Sequence, residues 1–450
     1  MVNRHPLRIL LLILLSIVTI TGCSSNSNSG SESPPAGEGE QQNEEEAPVK
    51  DKESFVADIK LLRTWGSDEQ FKLLLEDFNK EYPNIKVEVL PQPYNELPAL
   101  IAAGTIPDVV GMVGTMPEWV ENGVLEDLSS YIEVDPDVNP DTFHEVAYTR
   151  SVTPDGKVWA LPWQVDPNFA IMYNTTILDE FGITEIPDLN SLSAFGDFLR
   201  KFWVVRDGKQ EMATFSPHET YGAVNSVQTW AYLNGATTKT FYDPETRKVN
   251  FNDPLIVEAL EWIVQFKRDN VDDERRGQVQ ASLPEGTSWF QAGKSAMNLQ
   301  TAGELRLNYE MNPDEIGIIS MPQKAVWIGG WSFALTAGGK NKEAAWEFLK
   351  WMCATNEGAE SNLKHLTAIS GKKENPYLDE QAKTDPVYAA FKEVLGNAQQ
   401  GHLWTAIPVE WAPEFDTKYA EVMNGTLEPK AFLDHMTKYI QALVDERYSR

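Results

Sequence analysis

The pattern of the chain predicts an α/β fold, on three observations. Residues 59–89 read as strand, helix, strand, so the two strands are expected to lie parallel with a right-handed crossover. Leu161–Gly182 couples a polar, Pro-punctuated segment to the compact apolar run Phe169–Tyr173, which is long enough for one buried strand. Helix and strand patterns go on alternating towards the C-terminus, where Phe432–Tyr448 reads as a closing helix. A length of 450 residues allows one to three domains, and 42% hydrophobic content with 14 Trp is ample for large cores.

The first 53 residues stand apart from that pattern. Arg4 and Arg8 precede Ile9–Ile20, an almost wholly apolar run that is short for a spanning helix but suits a secretory signal. It ends Ile20-Thr21-Gly22-Cys23, which resembles a bacterial lipobox, so residues 1–22 are expected to be a lipoprotein signal with Cys23 the lipidated residue. The alternative is an ordinary cleaved signal in which Cys23 is incidental. Residues 23–53 are rich in Ser, Asn, Gly, Pro and Glu and nearly devoid of apolar side chains, so a disordered acidic tether is expected there.

In the first folded part, Ile59–Trp65 reads as a strand. Ser67–Gln70 is a capping-box pattern, and Phe71, Leu74, Leu75, Phe78 and Tyr82 then recur on one helical face. Ile85, Val87 and Val89 alternate with Lys86 and Glu88 as a strand. Tyr94–Ala103 reads as a helix, and Gly104–Val110 as a turn entering a strand, with Asp108 a structural turn residue. Ligands of parallel sheets bind beyond the carboxyl ends of strands, where Trp65 and Asp68 fall, and the loop Gly111–Met116, with Thr115, is expected to face the same cleft. Further on, Asn174 and Thr175 can cap a turn, Ser191–Trp203 reads as a helix, and Asp253-Pro254 opens another. Ile316–Met321 and Phe333–Leu335 read as strands, the second a return crossing introduced by Gly329-Gly330-Trp331-Ser332.

Several of these segments, in order along nearly the whole mature chain, share a likeness. They are Gly104–Val110, Trp119 with Gly123, Leu125 and Leu128, Ile171–Asn174 with Leu178 and Glu180, Trp230–Ala236 and Phe290–Met297. Together they resemble extracellular solute-binding proteins of the sugar-binding family of ABC importers. The sequence departs at Gln300-Thr301-Ala302-Gly303, where that family often carries Gly-x-Trp, so an aromatic contact is missing. The resemblance implies two discontinuous α/β lobes, of the type II periplasmic-binding-protein kind, joined by a hinge of about three strands with a ligand cleft between them. Lobe 1 would comprise 54–165 plus 330–368 and lobe 2 166–329 plus 369–450. It further implies a monomer that does no covalent chemistry and needs no cofactor. Anchored on the outer face of the cell membrane, it would capture a mono- or oligosaccharide and deliver it to an ABC permease.

A sugar presents an apolar C–H face and a rim of hydroxyls, so a binding site calls for Trp faces with Asp or Gln beside them. The expected contacts are Trp163, Trp230 and Trp331, then Trp65, Trp404 and Trp411, with Asp68, Asp166 and Gln300 as polar partners. Each Trp has a core residue as its alternative, and Asp166 could instead cap the turn at Pro167. A formal charge of −29 argues against nucleic acid as a partner. The two Cys define no disulfide framework, and Cys353 is expected to be a buried apolar residue. Six scattered His give no metal constellation, and no zinc-protease or nucleophile-elbow motif occurs. Two other readings share the same residues: a secreted glycan-acting enzyme, and a binding protein for a cation such as a polyamine.

Overall fold

A computed structural model describes residues 51–449 apart from 114, 115, 154, 404–406 and 408. The signal segment, Cys23 and nearly all of the tether lie outside the described residues, as do Thr115 and Trp404. Lys52–Ser54, placed at the end of the expected tether and the start of the first lobe, forms a short 3-10 turn whose Lys52 pairs with Glu81 and lies over the Tyr82 ring.

Strand β1 (Ala57–Leu62) pairs in parallel with β2 (Ile85–Val89) and β3 (Val109–Met112). The helix Asp68–Glu81 between β1 and β2 starts at Ser67, whose hydroxyl accepts from Gln70 N–H while the Gln70 side chain accepts from Ser67 N–H. This is the capping box read from sequence. β1 stops at Leu62, before the expected Trp65, because the chain turns at Gly66, which has φ +96°, to enter that cap. The Asp108 carboxylate accepts backbone N–H groups of Lys60, Lys340 and Asn341, consistent with a turn residue.

β4 (Leu161–Pro167) leads into β5 (Ala170–Asn174), and Asn174 caps the next helix by accepting from Ile177 N–H. Two small hairpins that the sequence reading did not anticipate follow. They pair β6 (Val204–Arg206) with β7 (Lys209–Met212) and β8 (Tyr242–Asp243) with β9 (Lys248–Val249). The remaining strands are β10 (Met297–Gln300), β11 (Ile316–Ser320), β12 (Trp327–Leu335) and the short β13 (Gln400–Gly401).

The larger sheet runs β13-β12-β3-β1-β2, with β4 on the other edge of β12. β12 is antiparallel to both β3 and β4, and it extends further than the apolar run Phe333–Leu335 suggested, back through Gly329-Gly330 to Trp327. The smaller sheet holds β5 between β10 and β11, both antiparallel. There Tyr173 faces Gly317 in register, and a Cβ at Gly317 would fall 2.0 Å from the Tyr173 ring, so the aromatic lies across a glycine.

The faces of the larger sheet bury different sets, as its period-two alternation requires. Ile59, Leu61, Phe71, Phe78 and Phe333 lie in one cluster, and Leu62, Leu97, Val110, Trp119 and Ala334 in another. Around the smaller sheet, a separate core gathers Phe195, Leu260, Phe415 and Phe432 from helices, with Phe251 from the turn after β9. Cys353 is buried in the helix Lys342–Ala354.

Candidate functional site: the cleft beside the crossing strands

The chain passes between the two sheets along β4 and returns along β12. Their backbones come close at Gly330, which has φ +110°; a Cβ there would lie 2.1 Å from the Gln164 carbonyl oxygen. Only glycine satisfies both the φ and the approach. Next to it Trp331 stands in register with Gln164. The Gln164 side-chain oxygen accepts from the Trp65 indole N–H at 3.2 Å, which ties the loop after β1 to the crossing. Trp331 meets Tyr94 edge-on with centroids 5.4 Å apart, and Tyr94 meets Trp119 at 6.5 Å. Trp65 and Trp331 are both partly buried, so each indole is braced while part of its surface stays open.

The polar groups lie further along the same path. Burial raises the Asp166 carboxyl to about 6; the Arg150 guanidinium pulls it down and Glu304 pushes it up. Burial lowers Arg150 to about 10, against the attraction of Asp166, and Arg150 Nη2 donates to the Gly330 carbonyl at 3.3 Å. Glu304 sits in a capping box with Thr301 at the start of the helix Ala302–Met311. It accepts a hydrogen bond from the Tyr221 hydroxyl. The Tyr221 ring stacks on Phe169 with centroids 4.6 Å apart and remains 38% exposed. Tyr221 has φ +52°, in the left-handed region that side chains rarely adopt, and such strain gathers at functional sites. Buried His402 lies against Trp327 and its Nε2 is 2.7 Å from Asn225 Oδ1; burial holds it well below the usual imidazole range.

Of the residues expected to bind ligand, this region brings together Trp65, Trp331 and Asp166. Gln300 closes β10 directly before Thr301 and Glu304, its amide oxygen 3.5 Å from Asn308 Nδ2. Three other indoles are fully enclosed. Trp163 donates to Asn362 Oδ1 at 2.9 Å and packs on Trp65, Phe71 and Phe333, so it supports Trp65 from behind. Trp230 donates to the Pro217 carbonyl and packs on Phe195 and Trp262. Trp411 lies among Phe251 and Phe415. In this structure these three face their cores rather than the cleft, because each sits on the inward side of its element. Asp68 points to solvent and pairs with Arg63 at 2.6 Å.

Tyr221 and Glu304 were missed by the sequence reading. The available signal for Tyr221 was its position before Gly222 at a helix start; Glu304, 83 residues further on, was marked locally only as the last residue of the Thr301-Ala302-Gly303-Glu304 capping-box pattern. Ser216, His218 and Glu219 form a chain of the kind that activates a nucleophile, with Oγ 2.7 Å from Nδ1 and Nε2 3.4 Å from the carboxylate. Ser216 is only 2% exposed and Arg276 grips Glu219 with two bonds, so the hydroxyl is closed off from substrate. Among the described residues, no group of three or more His, Cys, Asp or Glu is placed to hold a metal ion, and no helix is long and apolar enough to cross a membrane.

The model of the bacterial extracellular solute-binding protein family matches residues 64–358, which include β3, β4, β5 and β12. The chain belongs to that family. Among relatives of this solute-binding protein, the diacetylchitobiose binding protein of Streptomyces coelicolor is 23% identical over 379 residues, 80% of this chain and 82% of the relative. In fold it is similar to an ABC substrate-binding protein from Listeria monocytogenes solved in complex with cycloalternan. That match has a TM-score of 0.66 at 20% identity and covers 88% of this chain and all of the other. The sugar-binding protein MalE from Xanthomonas citri matches with a TM-score of 0.71 at 17% identity, covering 87% of this chain and 98% of the other. The two discontinuous α/β lobes of this solute-binding protein are thus of the type II periplasmic-binding kind.

Proposed function

We propose that this solute-binding protein captures a carbohydrate between its lobes and hands it to the membrane permease of an ABC importer. The observation that carries this reading is the pair of braced, part-open indoles Trp65 and Trp331, tied together through Gln164 and followed along the crossing by Asp166. Flat apolar area beside in-plane acceptors matches the two-sided chemistry of a sugar ring. Tyr221, stacked on Phe169, and Glu304, whose charge acts on Asp166, would add an aromatic face and an acceptor from the second lobe. Diacetylchitobiose and cycloalternan, bound by the relatives, support a saccharide longer than one unit. Closure on such a ligand needs only a higher affinity for the closed arrangement, and no covalent step.

The Ile20-Thr21-Gly22-Cys23 sequence supports anchoring through lipid on Cys23, at the outer face of the membrane where the permease would be met. Under this reading Cys23→Ala releases the protein from the membrane fraction of cells; full retention overturns the anchor.

The test of the ligand is a thermal-shift screen of the purified chain against mono- and oligosaccharides and against polyamines. A ligand at about 100 times its dissociation constant stabilises the folded state by about 2.7 kcal/mol. Stabilisation by one saccharide class, without turnover, is expected. A cationic solute is the second reading, favoured by the carboxylates of Asp166 and Glu304, and a response confined to polyamines would replace the first. Release of reducing ends from a glycan would instead establish an enzyme.

A further inference from the structure

The lobes also meet away from the crossing strands. Arg447, in the last turn of the helix Pro429–Tyr448, donates from Nη2 to Glu118 at 3.1 Å and from Nε to Glu121 at 3.2 Å. The Arg447 helix belongs to the second lobe, because Phe432, Leu433, Met436, Ile440 and Val444 bury it in the core with Phe251 and Phe415. Glu118 and Glu121 lie on the helix Pro117–Glu121, whose Trp119 is buried with Leu62 and Val110 in the first lobe. That helix follows β3, and β3 lies on the side of β12 opposite β4, so this contact is separate from the paired crossing strands.

We infer that Arg447 is an interlobe latch, a positioning residue whose bonds to Glu118 and Glu121 hold the lobes together in the arrangement that captures ligand. The Arg447 side chain is 11% exposed, while those of Glu118 and Glu121 are 38% and 52% exposed. One cation gripped by two acids through charge-assisted bonds makes a network rather than an isolated surface pair. It also offsets repulsion that a strongly acidic chain meets when its lobes approach. The latch connects to the cleft, because Trp119 on the same helix braces Tyr94, which braces Trp331. The helix starts from Met116 at φ +40°, a strained entry held in place by its surroundings. The inference rests on the cleft reading above for its purpose, and its test needs no ligand.

The experiment is small-angle X-ray scattering on the purified, ligand-free chain, comparing wild type with Arg447→Glu and with Glu118→Gln/Glu121→Gln. Both variants are expected to have a larger radius of gyration than wild type. Arg447→Glu combined with Glu118→Arg and Glu121→Arg is expected to return it towards the wild-type value. If Arg447→Glu does not fold, the glutamine pair, altered at part-exposed positions, interrogates the same contact. Equal radii in wild type and variants, or smaller radii in the variants, would overturn the latch. Because the scattering comparison uses no ligand, a failed saccharide screen leaves this result independent.

Discussion

Trp163 and Trp331 sit on neighbouring strands and meet different surroundings. Trp163 is sealed against Phe71 and Phe333 with its N–H satisfied by Asn362. Trp163→Ala therefore empties a core site and is expected to cost about 3–5 kcal/mol, read as a lower melting temperature without ligand. Trp331 is part-open, so Trp331→Ala is expected to leave melting nearly unchanged while weakening saccharide binding roughly tenfold by calorimetry, or about 1.4 kcal/mol. Equal loss of stability in the two variants would remove Trp331 from the site. Asp166 carries a pH dependence with a defined sign. Burial raises its pKa from 3.8 to about 6, so the folded state holds this proton more tightly than the unfolded chain. Its stabilising contribution is complete below the unfolded value and is lost as pH rises through about 6. Asp166→Asn should thus gain on wild type in melting temperature between about pH 4 and pH 7. A difference that stays flat across that window would show that the carboxyl does not titrate there.

At the scale of elements, the crossing depends on a residue with no side chain. Gly330→Ala would place a methyl group 2.1 Å from the Gln164 carbonyl oxygen at a φ of +110°. The contact is to backbone, so β4 and β12 must separate. A loss of roughly 2 kcal/mol or more is expected, with faster amide exchange across Leu161–Pro167 as the measurement that localises it. Elements with a local cause were legible from sequence. Ser67 and Gln70 announced a helix start because both halves of a capping box lie three residues apart, and Asn174 did so through its own side chain. The hairpins β6–β7 and β8–β9 were missed because their strands are two to four residues long, too short for alternation to register.

At the scale of the molecule, the proposed capture requires the two lobes to move relative to each other about the crossing strands. The contact of Arg447 with Glu118 and Glu121 spans 326 or more residues of chain, and the Trp65–Gln164 bond spans 99. Saturation with the saccharide found in the screen is expected to reduce the radius of gyration of Arg447→Glu towards that of wild type, since closure follows the state that binds better. An unchanged radius on saturation would mean that the ligand is held without lobe movement.

The sequence by itself determined the α/β class, the capped helix starts, the apolar strand at the centre of the second sheet and the family likeness. Each of these rests on residues close together along the chain, where periodicity and caps act. It also nominated Trp65, Trp331 and Asp166, through their places after a strand and on the crossing segments. Only the tertiary structure decided which indoles stay part-exposed and which are sealed in a core. The same side chain at Trp163, Trp230 or Trp411 is buried by partners tens to hundreds of residues away. The Tyr221–Glu304 bond and the Arg447 latch were hidden for the same reason: a hydrogen bond is set by distance in space, and folding alone brings those atoms within 3.5 Å.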